Sequence, residues 1–269
     1  MQSPSSPLDG IRVKLIRAEK HLNEAILTTR TYTHGECTIG MEKDIALKMA
    51  VQRIRITPSA SPEISAIAGD FFFNIRAVLD YIVWQLVLSN PPHQPTPSNQ
   101  FPITSSPGDF AKAVDRKQLR GVPKAAATLV ERLQPYNAGQ NPLGILTKLH
   151  KIDKHQTLNV VTVVADNADL VSQAGGFALN IGNDELRDGT VFGGIGIPFS
   201  MLAKLPNADR LLEMKMHGKC SIFVAFVDPS VEDLEDFRVD RTLQEIFEFV
   251  KETVIPAFEP FFDGTADSA

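Results

Sequence analysis

Cysteine and tryptophan are scarce in this chain, with two Cys and one Trp in 269 residues. Cys37 and Cys220 cannot build the disulfide framework on which small secreted domains depend, so both read as buried thiols on strands. Charge of either sign is short of a large excess. A formal net charge of −5, from 27 Lys and Arg against 32 Asp and Glu, argues against broad nonspecific binding to nucleic acid. The apolar runs make poor membrane spans. The best, residues 71–88, is broken by Asn74, Arg76, Asp80 and Gln85, and ionisable groups at bilayer depth are costly. No charged-then-apolar leader precedes the first helical pattern, so no membrane partner and a cytoplasmic location are expected. Gly-x-Ser-x-Gly, Walker and Cys-x-x-Cys motifs are missing as well, which removes the hydrolase elbow, the phosphate-binding loop and the common zinc ribbons.

What is present is ordinary globular composition, 43% hydrophobic and 22% charged, which excludes collagen, coiled coil and wholesale disorder. A helix is expected over 7–30, capped by Asp9, with Ile11, Leu15, Leu22 and Ile26 as its apolar stripe. Period-2 patterning over 37–57 predicts two paired strands ended by Thr57-Pro58. Ser61-Pro62-Glu63 then starts a helix to about Ser89 that is apolar nearly all round, the mark of a central helix. Further helices are expected over 123–133 and 142–155. Beyond them, 157–165, 176–181, 190–197 and 220–227 read as short antiparallel strands, with a hairpin or bulge at Gly189 to Gly196. Asp240 caps a final helix that Pro256 and Pro260 stop, its phenylalanines forming core. The fold class predicted is α+β, a helical layer around the long central helix packed on a mostly antiparallel sheet. One domain over 1–269 is expected, helix-rich over 1–156, strand-rich over 157–230, with a C-terminal helix at 240–258.

The polar groups on the apolar helix carry the most information, because a buried charge needs a partner. At 100° per residue Asp70, Asn74, Tyr81 and Gln85 share one arc, while Arg76 and Asp80 form an i, i+4 pair on another face. A structural network and a functional site are both open readings. In the 142–155 helix, Leu143, Leu146, Leu149, His150 and Asp153 share a face, with Lys148, Lys151 and His155 opposite. A carboxylate beside an imidazole fixes its tautomer and supports general-base chemistry. A satisfied core histidine is the alternative. His150 and His155 lie about 140° apart on a regular helix, so no metal is expected, and no cofactor. Arg116, Lys117, Arg120 and Lys124, with Lys148, Lys151 and Lys154, offer a local basic surface or a solvated face.

The run Gly69-Asp70-Phe71-Phe72-Phe73-Asn74-Ile75-Arg76-Ala77-Val78-Leu79-Asp80-Tyr81, then Phe101-Pro102-Ile103, Leu133-Gln134-Pro135-Tyr136 and Ile152-Asp153-Lys154-His155, resembles a family of bacterial proteins without assigned function. Its helix is similar in turn to the Arg-x4-His motif of HEPN (higher eukaryotes and prokaryotes nucleotide-binding) domains, many of which are metal-independent ribonucleases of toxin and defence systems that act as dimers. Tyr81 stands where that motif has His, and a phenol titrating near 10 is a poor base at neutral pH. The resemblance therefore implies an RNA- or nucleotide-directed protein and a homodimer. In it Arg76 stabilises phosphate, His150 or His155 supplies the base, and Asn74, Asp80, Tyr81, Asp153 and Lys154 bind. The competing expectation is a non-catalytic binding or scaffold protein whose Arg, Asp and His network supports the fold.

Overall fold

The computed structural model describes residues 6–138, 142–155, 158–164, 168–172, 178–181, 186–213, 215–227 and 237–262. In chain order α1 (Asp9–Thr29), β1 (His34–Asp44), β2 (Met49–Thr57) and α2 (Pro62–Leu88) come first. Four helices follow: α3 (Pro107–Asp115), α4 (Lys124–Arg132), α5 (Pro135–Ala138) and α6 (Pro142–His155). The strands β3 (Val160–Val164), β4 (Ala168–Ser172), β5 (Ala178–Ile181) and β6 (Val191–Pro198) lead to α7 (Phe199–Leu202), α8 (Ala208–Glu213) and β7 (Lys215–Phe226). The chain closes with α9 (Val239–Glu248), a π-helical segment (Phe249–Val254) and α10 (Ile255–Phe258). The class is α+β, as the sequence pattern predicts. Two compact units make up the chain, both discontinuous: Met1–Ala25, Ser65–Leu158 and Asp240–Ala269 form the helical one, Ile26–Ile64 and Asn159–Val239 the strand-rich one.

Period-2 patterning builds the strand-rich unit. Its antiparallel strands run in the order β5-β4-β7-β1-β2-β6, with β3 paired to the far half of β7. Residues 186–190 close a ring that the sequence pattern does not reveal. Ile54 N donates to Thr190 O and Gly189 N to Ile54 O, both at 2.9 Å, on the β2 side. On the β3 side Val164 N donates to Leu186 O at 3.0 Å and Asp188 N to Thr162 O at 3.2 Å. Alternate residues Cys37 and Ile39, Ile54 and Ile56, Cys220 and Ile222 point inward with Val164 and Leu186 to form one core. Both thiols are buried there, and the neighbouring Cys220, then burial, push the Cys37 thiol pKa up. The β2–β6 pairing shifts register between Val51 and Arg53, which pair with Gly196 and Val191, within the stretch where a hairpin or bulge is expected. Gly189 takes φ +84 in the turn before β6, a conformation that glycine adopts at no steric cost.

In the helical unit α2 is the main hydrophobic element. Phe71, Phe72, Ile75, Val78, Leu79, Ile82, Val83, Leu86 and Val87 are all buried, each contributing about 1.5–3 kcal/mol. By length and composition α2 passes for a membrane span, but 56% of its most apolar window is buried inside the protein. The helix expected to be central and packed on several sides leaves one side open, where Phe73, Tyr81, Trp84 and Leu88 are exposed. A second correction concerns Pro256, which does not stop the last helix. The turn before it widens to π, Ile255 N–H bonding Val250 O, and so absorbs the N–H that proline lacks. A third element, α3, escapes the sequence reading because it spans only nine residues and contains Gly108. Its signals are nonetheless local: Ser106 caps it, accepting from Asp109 N at 3.2 Å, and Pro107 opens it.

Candidate functional site

A cavity of about 1030 Å³ opens within the helical unit. Its first wall is the α2 face carrying Phe73, Arg76, Ala77, Asp80 and Tyr81, the i, i+3, i+4, i+7, i+8 pattern of one helix side. The second is the α6 face of Thr147, His150, Lys151 and Lys154, joined by Asp153. Asp109 and Lys112 of α3, Arg116 just after it and the segment 100–104 adjoin them.

Among the described residues that segment pairs with no strand, and apart from Gln100 N, which donates to Gln118 O at 3.2 Å, side chains hold its backbone. Arg76 Nη1 and Nη2 each donate to Phe101 O at 3.2 Å, Nη2 also to Asp80 Oδ1 at 3.0 Å, and Phe101 N donates to the same Asp80 oxygen at 2.9 Å. One ion pair thus satisfies both backbone groups of Phe101, whose buried ring meets Phe258 edge-on at 6.2 Å. Gln134, fully buried at the end of α4, performs the same task two residues on. Its Nε2 donates to Pro102 O at 2.8 Å and Val130 O at 2.9 Å, while Oε1 accepts from Thr104 N at 2.8 Å and Thr104 Oγ1 at 3.1 Å. Sequence reasoning assigned Gln134 no role. The signal available was a glutamine beside Pro135 in a segment otherwise matched to apolar packing.

The charges differ in their freedom. Burial raises the Asp80 pKa, against the opposing pull of Arg76, the Phe101 N–H and His150. Lys112 and Ser106 hold Asp109 below the usual carboxylate range. Burial lowers the pKa of the half-buried His150, Arg76 lowers it further, and Asp153 works in the opposite direction, the net effect favouring the uncharged imidazole. Burial also raises Asp153, with Asp70 adding to the effect and His150 opposing it. The Asp153 carboxylate lies flat against Gly69, where a Cβ would come within 2.6 Å of Oδ1, so a larger residue at 69 displaces it. Thr147 Oγ1, one turn before Lys151, is buried with no hydrogen-bond partner among the described residues. In total five cationic residues, Arg76, Lys112, Arg116, Lys151 and Lys154, line the cavity with three carboxylates. Arg116, Lys151 and Lys154 carry no ion pair among the described residues.

Of the residues singled out by sequence, Arg76, Asp80, Tyr81, His150, Asp153 and Lys154 therefore share one cavity. Asn74 is not among its lining residues. It is buried and donates Nδ2 to Asp70 O at 2.8 Å, one turn back along its own helix. His155 ends α6, and its side chain lies outside the described residues. Lys151, expected opposite His150, lines the same wall, because adjacent helical positions are only 100° apart and a lysine stem bridges the difference. Among the described residues no cluster of three His, Cys, Asp or Glu is placed to hold a metal ion. Comparison with protein-family models, curated proteins and solved structures finds no match to this chain.

Proposed function

We propose that the helical unit binds RNA in this cavity and cleaves it without a metal, with His150 as the general base. The observation that carries this reading is a half-buried imidazole, His150, lining one cavity with Arg116, Lys151 and Lys154, which carry no ion pair among the described residues, in a chain that is acidic as a whole. Lys151, Lys154 and Arg116 suit phosphate oxygens, and a positive cavity on an acidic protein concentrates anions locally rather than over the whole surface. His150 takes the proton of a ribose 2′-hydroxyl. The 2′-oxygen then bonds to phosphorus, the bond from phosphorus to the 5′-oxygen breaks, that oxygen takes a proton from water, and the imidazolium returns its own to solvent. The products are a 2′,3′-cyclic phosphate and a 5′-hydroxyl. The resemblance to HEPN ribonucleases points the same way.

For Arg76 and Asp80 the competing reading, a structural network, is the better supported. Both Arg76 Nη groups and Asp80 Oδ1 are engaged with Phe101 and with each other, so the pair shapes the wall while the α6 side chains meet the ligand.

The test is incubation of total tRNA with the purified protein in EDTA. The expected result is cleavage leaving cyclic phosphate ends, reduced on the order of 10²–10⁴-fold in a folded His150→Ala variant. Intact RNA, or equal cleavage by the variant, overturns the proposal.

A further inference from the structure

Among the cavity residues to which the RNA reading gives no role are two exposed aromatic side chains, Phe73 and Tyr81. Phe73 is 61% exposed and Tyr81 41% exposed, although each lies on a helix whose other large apolar residues are mostly buried. Both line the same cavity as Lys151 and Lys154. Eight residues separate them on one side of α2, about 12 Å along the axis. Each ring is supported from α1. Lys14 Nζ stands 5.4 Å from the Phe73 ring centroid, which brings a further cation to that rim. Gly10 lies against Tyr81, where a Cβ would sit 3.3 Å from Cδ2, so the α1 backbone braces the phenol ring directly.

From this arrangement we infer that the cavity selects single-stranded RNA, with unpaired bases stacking on Phe73 and Tyr81 while the phosphates meet the α6 lysines. The inference rests on the RNA reading above and adds the strandedness of the ligand. Cations alone do not discriminate, since both duplex and single strand present phosphates. Exposed rings do discriminate. A duplex keeps its base faces stacked against one another, whereas an unpaired strand offers every base face to an aromatic platform. Charge complementarity favours this occupant over an apolar protein surface, because the rings share their cavity with five cationic residues against three carboxylates, an excess of positive charge that an apolar partner would bury uncompensated and phosphates would neutralise.

Fluorescence anisotropy with a short, uncleavable 2′-O-methyl oligonucleotide in EDTA, alone and annealed to its complement, tests the inference on the intact chain. The single strand is expected to bind tenfold or more tightly than the duplex. Phe73→Ala and Tyr81→Ala should each weaken the single strand by roughly 5- to 150-fold while leaving duplex affinity in place, and Tyr81→Phe should restore it. Both side chains are exposed, and thermal melts of the variants verify that they fold. Equal affinity for strand and duplex, or variants that bind like the parent, overturns the inference while sparing the RNA reading. So does light scattering in which Phe73→Ala dissolves an oligomer without changing RNA affinity, which assigns the rings to a protein interface. Failure of both oligonucleotides to bind overturns the RNA reading and the inference with it.

Discussion

Removing the Arg76 guanidinium should loosen segment 100–104, and the cost can be worked from the contacts. The Arg76 side chain is 18% exposed and that of Asp80 33%, which places the pair between buried ion pairs, whose disruption costs about 3–5 kcal/mol, and exposed ones near 0–1 kcal/mol. Arg76→Ala removes both guanidinium bonds to Phe101 O and strands a carboxylate that burial already disfavours. About 2 kcal/mol is expected. Asp80→Ala orphans the Phe101 N–H and leaves Arg76 partly buried, again about 2 kcal/mol. Asp80→Asn is the informative control. Its amide oxygen still accepts from Phe101 N, and the buried charge is gone, so it should cost less than about 1 kcal/mol. Because both side chains act on one residue, the Ala–Ala double variant should fall short of additivity by about 1 kcal/mol. Urea denaturation at neutral pH reads all four. Additive effects, or an Asp80→Asn cost equal to that of Asp80→Ala, would refute the clamp.

Other outcomes follow from the same contacts. By NMR titration His150 should protonate below the ordinary imidazole value, and Asp153→Asn, by removing the carboxylate that favours the charged form, should lower it further. The folded state then binds fewer protons than the unfolded one over the interval below about pH 6.5. Its stability is therefore full above that pH and declines as the pH falls toward the folded-state value. Cleavage should lose rate at lower pH still, as the pH falls through the folded-state value and the base protonates. Gln134→Leu strands Thr104 N–H and Pro102 O inside the unit and should cost about 2–4 kcal/mol, read by urea denaturation. A cost within experimental error of zero would show that the Gln134 bonds do not hold the segment.

Much of this architecture is legible in residue patterns, and the exceptions have physical causes. The α2 start is written in Ser61-Pro62-Glu63, and the i, i+4 pair of Arg76 and Asp80 is visible from spacing alone. Its purpose is not, because the group it serves is the backbone of Phe101, 25 residues from Arg76. Likewise periodicity places Phe73 and Trp84 among core residues, since an apolar side chain gives no sign in one sequence of whether a neighbour covers it. His150 and Asp153 are paired by spacing, yet their meeting with Arg76 depends on how α6 packs beside α2, which helical periodicity does not encode. Closure of the strand-rich ring escapes for the same reason. Residues 186–190 contribute backbone groups to β2 and β3 without a strand signature of their own. The π turn before Pro256 shows a strong local breaker overridden by a buried helix face containing Val250, Val254 and Phe258.

Whether phosphates occupy the cavity is decided by the salt dependence of RNA affinity in EDTA, comparing the parent with Lys151→Ala and Lys154→Ala. Each lysine bound to a phosphate contributes about 0.7 to the slope of log affinity against log salt for a single strand. Each variant should therefore bind more weakly and show a slope shallower by about that amount, with unchanged melting. A parent that binds no RNA at low salt, or lysine variants whose affinity and slope match the parent's, would contradict the assignment of this cavity to RNA.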